Sequence, residues 1–305
     1  MDAGQSLDPP CKRHVFRCML SVVSVFILTI GTESRKYSIA NPASPCLLNR
    51  KRLPMSALLL LPLLFLTGLM AGLVDSIAGG GGLITIPVLL GVGMPPQIAL
   101  GTNKLQASFG SGSAMLTFIR SGTVRLHDCR IGVAYTAVGA VLGTITVQKL
   151  DPGLLRQVIP WLLVAIVIYT LLTPRLGYED IRPRLKPGPF FFLAGLVLGF
   201  YDGFLGPGTG SFWVMALMFG LGFNMIRATG YTKVMNFASN VASLAMFICG
   251  GSVLWREGLV MGAGQFVGAR IGARMVVRKG TRFIRPVFIT MVLAITAKLI
   301  WQNLH

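Results

Sequence analysis

Acidic residues are scarce in this chain. Ten Asp and Glu stand against 28 Lys and Arg in 305 residues, and only 12% of the sequence is charged. A soluble domain usually carries about twice that fraction, so a solvated globular surface is excluded over most of the length. Histidine is rarer still: His14, His127 and His305 lie far apart, which leaves no basis for a histidine-built metal centre. The cysteines Cys11, Cys18, Cys46, Cys129 and Cys249 form no CxxC pair, so neither a zinc knuckle nor a dithiol redox motif is encoded. No GxxxxGK[ST] string exists to drive an ATP-powered pump. The run Gly206-Pro207-Gly208-Thr209-Gly210 lacks the strand–turn–helix setting of a dinucleotide site, and no Ser/His/Asp constellation is visible. The expectation is therefore a protein that is not an enzyme and carries no metal or cofactor. The basic excess would suit nucleic acid, but it sits in short clusters such as Arg182, Arg184 and Lys186 between apolar stretches. That is how loops of membrane proteins face anionic headgroups, so the expected partners are the lipid bilayer and a small solute, not nucleic acid. A homo-oligomer is left open.

What is abundant is apolar sequence, at 53% of the chain. Long runs with few charges recur from Ala57 to the C-terminus, which predicts an all-α polytopic membrane protein. Eight spans are expected near Ala57–Ile77, Ile98–Ile119, Cys129–Gln148, Leu154–Thr173, Phe190–Leu205, Met225–Cys249, Glu257–Val277 and Phe283–Trp301. Two pieces, Leu83–Val92 and Ser211–Leu221, are too short to cross and read as half-helices or re-entrant segments. Residues 1–54 form an N-terminal extension. It reads as a signal-like segment, an extra helix, or an over-extended start with Met55 as the first residue. Two membrane repeats follow, 55–173 and 190–305, joined by a charged linker, 174–189.

The two halves match along one alignment slipped by two residues. Asp75 falls on Asp202, Ala99–Lys104 on Ala228–Lys233, and Gly139–Gly143 on Gly268–Gly272. Two homologous four-span repeats are the natural account. Counting eight full spans puts Arg120 and Arg125 on one side and the Arg274–Arg285 cluster on the other. This opposes the positive-inside rule, so either the short pieces cross and invert the second copy or the rule is weak here.

Each half carries a glycine-rich break led by an acid: Asp75 before Gly79, Gly80, Gly81 and Gly82, and Asp202 before Gly206, Gly208, Thr209 and Gly210. Glycine at this density cannot hold a regular helix. Irregular backbone survives at bilayer depth only where protein buries it or a polar cavity lies beside it. A helix starting after each break would offer free N–H groups and a partial positive charge to an anion; the bland alternative is close helix crossing. Asp75 and Asp202 sit inside apolar spans, where a carboxylate is costly unless paired or protonated. They are candidates for proton coupling or for pairing with lysine, or else acids capping a helix near the surface. Lys104 and Lys233 occupy equivalent places and either snorkel or point inward. Thr102 and Asn103 flank the first. Tyr231, Asn236 and Asn240 flank the second, with Asn236, Asn240 and Ser243 forming one helical stripe that lines a site or bonds helix to helix. GxxxG spacings at Gly68/Gly72, Gly139/Gly143, Gly195/Gly199 and Gly264/Gly268/Gly272 predict close packing. Arg270 faces a cavity or snorkels.

The stretches Asp75–Gly82 with Pro87, Ala99–Lys104, and Gly199–Phe212 strongly resemble the TauE/SafE sulfite-exporter family. The likeness runs from about Ala57 to Leu304 and leaves out the N-terminal extension. It implies a multi-pass permease of the bacterial inner membrane that moves small sulfur-containing anions such as sulfite or organosulfonates. The residues themselves predict the same class: an anion held by the breaks and the two lysines, with Asp75 or Asp202 titrating. A passive anion channel and a membrane-embedded enzyme acting on lipid phosphates remain as alternatives; the sparse acids and histidines argue against the enzyme.

Overall fold

The computed structural model describes residues 57–155, 157–159, 161 and 182–280. The chain divides into Met1–Lys51, which lies outside the described residues, and a compact unit from Arg52 onward. Most of the expected fourth span and all of the eighth also lie outside them, as does the first half of the linker, 174–181.

Among the described residues the fold is all helical: eight α-helices and one short 3-10 turn are described from end to end, beside helical residues at 152–155, 157–159 and 161. The complete elements are α1 (Ala57–Ala78), α2 (Gly81–Gly91), α3 (Pro96–Arg120), the turn Leu126–Cys129, α4 (Arg130–Lys149), α5 (Pro187–Phe204), α6 (Thr209–Leu221), α7 (Met225–Cys249) and α8 (Trp255–Lys279). Local chemistry sets the boundaries. Proline opens α3 and α5 at the first turn, where its missing N–H costs nothing. Asn224 caps α7 by accepting the Arg227 N–H at 2.9 Å. Both glycine breaks end a helix, α1 at Ala78 and α5 at Phe204. Three stretches, Leu60–Ala78, Leu126–Lys149 and Pro187–Phe204, are long and apolar enough to cross a membrane. Helices α2 and α6, with 11 and 13 residues, reach only about 16–20 Å at ~1.5 Å per residue, well short of a ~30 Å hydrocarbon core.

Large apolar side chains lie on the surface, and polar side chains are buried among apolar clusters inside. Leu66, Met70, Leu193, Val197, Val138 and Leu142 are exposed. Thr102, Asn103, Lys104, Gln106, Asp202, Lys233, Asn236 and Asn240 are buried. Polar groups avoid hydrocarbon by pairing with each other, and lipid solvates the apolar outside. Arg270 is exposed, on the outward side of α8.

Helix directions follow from which residues touch. On α1 and α8, Gly68 meets Met261, Gly72 meets Gln265, and Ser76 meets Gly272, so the two run parallel. On α3 and α8, Gly101 meets Ser252, Leu105 meets Gly258, and Ser113 donates to the Phe266 carbonyl, again parallel. Helices α4 and α5 are parallel through Thr136 with Gly199 and Ala140 with Gly203. Helix α7 runs with α4, from Gly230 beside Val124 to Gly250 beside Gln148. Across the centre the order reverses: Phe118 meets Gly230, Gly112 meets Phe237, and Phe247 meets Gly101. Helices α3 and α7 are antiparallel. They are each 25 residues long and begin 129 positions apart, at 96 and 225.

Since α1 and α3 both run with α8, the chain must return between them, and α2 makes that return. Leu60 and Leu64 at the start of α1 accordingly share a core with Leu89 and Met94 at the end of α2. The same holds for α5 and α6, where Gly220 near the end of α6 packs on Phe190 at the start of α5. Each break is thus the tip of a helical hairpin, and the two hairpins enter from opposite ends of the bundle. The small-residue stripes weld each hairpin to the other half. A Cβ at Gly268 would stand 2.0 Å from the Leu69 carbonyl oxygen, and one at Gly143 equally close to that of Phe200, so these faces admit nothing larger than hydrogen.

Candidate functional site

The two tips meet inside the protein. Gly79 has φ +77°, a left-handed conformation suited to glycine, and a Cβ there would lie 2.5 Å from the Gly210 carbonyl carbon. Gly82 faces Pro207, and Ser211 Oγ donates to the Ala78 carbonyl at 3.0 Å. The first break is short, with only Gly79 and Gly80 between helices; the second spans Leu205–Gly208, with Gly206 and Gly208 at positive φ. The two-residue slip in the alignment of the halves therefore falls within the break itself.

The acids and lysines pair, and they pair across the halves. Lys104 Nζ on α3 lies 2.9 Å from Asp202 Oδ1 on α5. Lys233 Nζ on α7 lies 2.9 Å from Asp75 Oδ2 on α1 and also donates to the Asp75 main-chain carbonyl. Charges this deep persist only when paired and hydrogen-bonded. Both lysines are buried, so the inward alternative holds and the snorkelling one does not. The carboxylates are likewise interior, not surface caps.

The surroundings of the two pairs differ. Asp202 accepts from Lys104, from Thr209 Oγ1 at 3.2 Å and from Ser239 Oγ, and its side chain is 6% exposed. Lys104 also donates to Asn240 Oδ1 at 3.2 Å. Asp75 accepts from Lys233 and from the Gly81 N–H at 3.2 Å, with a side chain 14% exposed. Gly81 opens α2, so Asp75 occupies the place at a helix N-terminus where an anion is favoured. A Cβ at Gly81 would come within 2.8 Å of the Asp75 Cβ, which is why this position needs glycine.

Of the other residues singled out in the sequence, Asn236 joins the tips: its Nδ2 lies 3.1 Å from where a Gly210 Cβ would be. Its Oδ1 is buried without a hydrogen-bond partner, as is the Oγ1 of Thr232. Asn103 Oδ1 accepts from Thr85 Oγ1 at 2.6 Å and from Gln106 Nε2 at 2.7 Å, linking α2 to α3. Gly80 carries the turn into α2, its carbonyl accepting the Leu83 N–H. Thr102 and Tyr231 are placed elsewhere. Thr102 Oγ1 accepts the Leu254 N–H at 3.1 Å, and the Tyr231 hydroxyl lies 3.4 Å from the Arg125 N and 3.1 Å from Asp128 Oδ2. These two tethers are counterparts, 129 positions apart at both ends, and hold the loops before α4 and α8.

Of the two hydroxyls that serve Asp202, sequence reasoning singles out Thr209, in the second break, but not Ser239. The two reach it from different helices, and nothing local marks Ser239 apart from its polar neighbours. Tyr201 is missed as well: its hydroxyl donates to the Pro207 carbonyl at 2.6 Å and closes the second break. A phenol beside the acid in an apolar run is the signal that could have found it.

A family model described as Sulfite exporter TauE/SafE matches residues 64–299. The chain is 49% identical over 244 residues to a Haemophilus influenzae protein named probable membrane transporter protein, covering 80% of this chain and 96% of that one. It is 47% identical over 245 residues to the probable membrane transporter protein YfcA of Escherichia coli K12, covering 80% and 91%. A probable membrane transporter protein from Sinorhizobium, ORF9, is 43% identical over 246 residues, covering 81% and 94%. No solved structure matches the chain.

Proposed function

The chain belongs to the sulfite exporter TauE/SafE family of membrane transporters, and from that premise we propose that it is a secondary carrier for a small anion in the bacterial inner membrane. Sulfite or an organosulfonate is the substrate class, carried over from the family description. The observation that carries the reading is the crossed pairing of Lys104 with Asp202 and Lys233 with Asp75 beside two meeting hairpin tips. We read the halves as inverted copies of one four-span unit. The axis that turns α3 onto antiparallel α7 also turns each aspartate–lysine pair onto the other. Carriers built this way place substrate at the interface of their repeats and expose it alternately to the two faces.

Charge balance supports proton coupling. Two lysines and two aspartates cancel at this centre. An added anion would leave one negative charge uncompensated in a low-dielectric interior. A proton on one aspartate restores neutrality and frees its lysine for the anion, so proton and anion move together. Gly79 packed against Gly210 favours a gated carrier over an open channel, because the tips are in backbone contact.

Inversion also gathers the basic residues. Arg120, Arg125, Arg130, Arg182, Arg184, Lys186, Arg227, Arg274 and Arg278 fall toward one face, with Lys149 and Arg256 at the other. The positive-inside rule assigns the first face to the cytoplasm. This removes the conflict raised by counting eight full crossings.

The test is sulfite flux in proteoliposomes with a pH-sensitive dye inside. Expected is saturable flux with proton movement in the wild type, and loss of its pH dependence in Asp75→Asn or Asp202→Asn. Unaltered pH-dependent flux in both variants rejects the coupling role. Flux that neither saturates nor moves protons makes the protein a channel.

A further inference from the structure

We propose that the two crossed pairs are not equivalent: the anion enters by displacing the Asp75 carboxylate from Lys233, while the Asp202–Lys104 pair stays closed as a fixed strut. This rests on the carrier reading above and assigns its binding end. The Asp202 network is complete. Both carboxylate oxygens are engaged, by Lys104 and Thr209 on one and Ser239 on the other, and Lys104 is held a second time by Asn240. An anion arriving there must break bonds to three helices at once.

The Asp75 end lacks those hydroxyls. The position matching Ser239 in α3 is Gly110, and its space is filled by the Gln265 side chain of α8. Asp75 therefore has two donors, the Lys233 ammonium and the first N–H of α2. Both are general anion donors that do not depend on a carboxylate's shape. Lys233 keeps its bond to the Asp75 main-chain carbonyl when the side chain leaves, so the ammonium stays in place to receive a replacement. Asp75 is also the more exposed carboxylate, 14% against 6%. A third observation points to a ligand here. Thr232 and Asn236 flank Lys233 on α7, both more than nine-tenths buried, and each has an oxygen without a partner. Unmet buried polar atoms cost stability unless something fills the need. A hydrated or protonated oxyanion seated at Lys233 supplies donors for them. Asp75 is thus a tethered stand-in for the substrate.

The experiment uses the full-length protein in nanodiscs, with sulfite as the probe and sulfate and chloride beside it. Asp75→Asn removes the competing carboxylate, so its sulfite Kd should fall about tenfold or more, and sulfite should restore its lowered melting temperature toward wild type. Asp202→Asn should show neither gain. A tighter Kd in Asp202→Asn, or equal change in both, overturns the proposal and leaves the carrier reading standing. Failure of the wild type and both variants to bind any of the three anions removes both. Should Asp75→Asn not fold, infrared difference spectra of the wild type with and without sulfite decide instead. The carboxylate bands that sulfite perturbs should be unchanged by Ser239→Ala; bands that move in this variant belong to Asp202 and overturn the assignment.

Discussion

The Lys104–Asp202 pair gives the sharpest energetic expectation. At 2.9 Å, and with an effective dielectric of about 20, the direct attraction is about 6 kcal/mol. Desolvation of both ions opposes it, so the pair's net contribution is far smaller. Removing one partner is different, because the survivor keeps its desolvation cost. Lys104→Met leaves Asp202 with the Thr209 and Ser239 hydroxyls alone, and Asp202→Leu leaves Lys104 with Asn240 alone. Each single variant should lose about 3–5 kcal/mol. The double variant Lys104→Met/Asp202→Leu replaces two buried ions by apolar groups of similar volume, and should return to within about 2 kcal/mol of wild type. The assay is a double-mutant cycle from denaturation in mixed micelles, followed by sulfite flux in proteoliposomes. A coupling of several kcal/mol with abolished transport is expected. Additive losses would show that the two side chains do not interact in the folded protein. A stable double variant that still carries sulfite with protons would show that the pair has no part in transport.

Two more outcomes follow from the geometry. Gly79→Ala adds a Cβ 2.5 Å from the Gly210 backbone at a φ of +77°, so it should destabilise the protein and abolish flux. Gly91→Ala, where a Cβ meets nothing within 4 Å, should leave both near wild type and serves as the control. In a variant keeping Cys249 as its only cysteine, an impermeant maleimide should label intact cells from outside, since α7 ends opposite the basic face. Ser121→Cys in a cysteine-free background should label only after the membrane is opened, and the reverse pattern would invert the assigned orientation.

Much of the site is legible in the amino-acid sequence. The acids, the lysines and the glycine breaks stand out because apolar surroundings make each of them costly, and cost without use is rare. The pairing is not legible there. Asp75 is 158 positions from Lys233, and nothing in either neighbourhood states that the partner lies in the other half. The difference between the two ends is hidden for a related reason: Ser239 and Gly110 matter only once α5, α7 and α8 are packed around them.

The sequence by itself determined the helical membrane class, the positions of the breaks, and which two acids and two lysines stand in apolar surroundings, because local chemistry and hydropathy carry all of these; that the four turn inward was decided by packing. The tertiary structure alone decided that each hairpin leaves by the end it entered, so that α3 and α7 oppose one another and each aspartate meets the lysine of the other half. The reason is that an 11- or 13-residue apolar helix has the same composition whether it continues a crossing or turns back. Its direction is set by what it packs against.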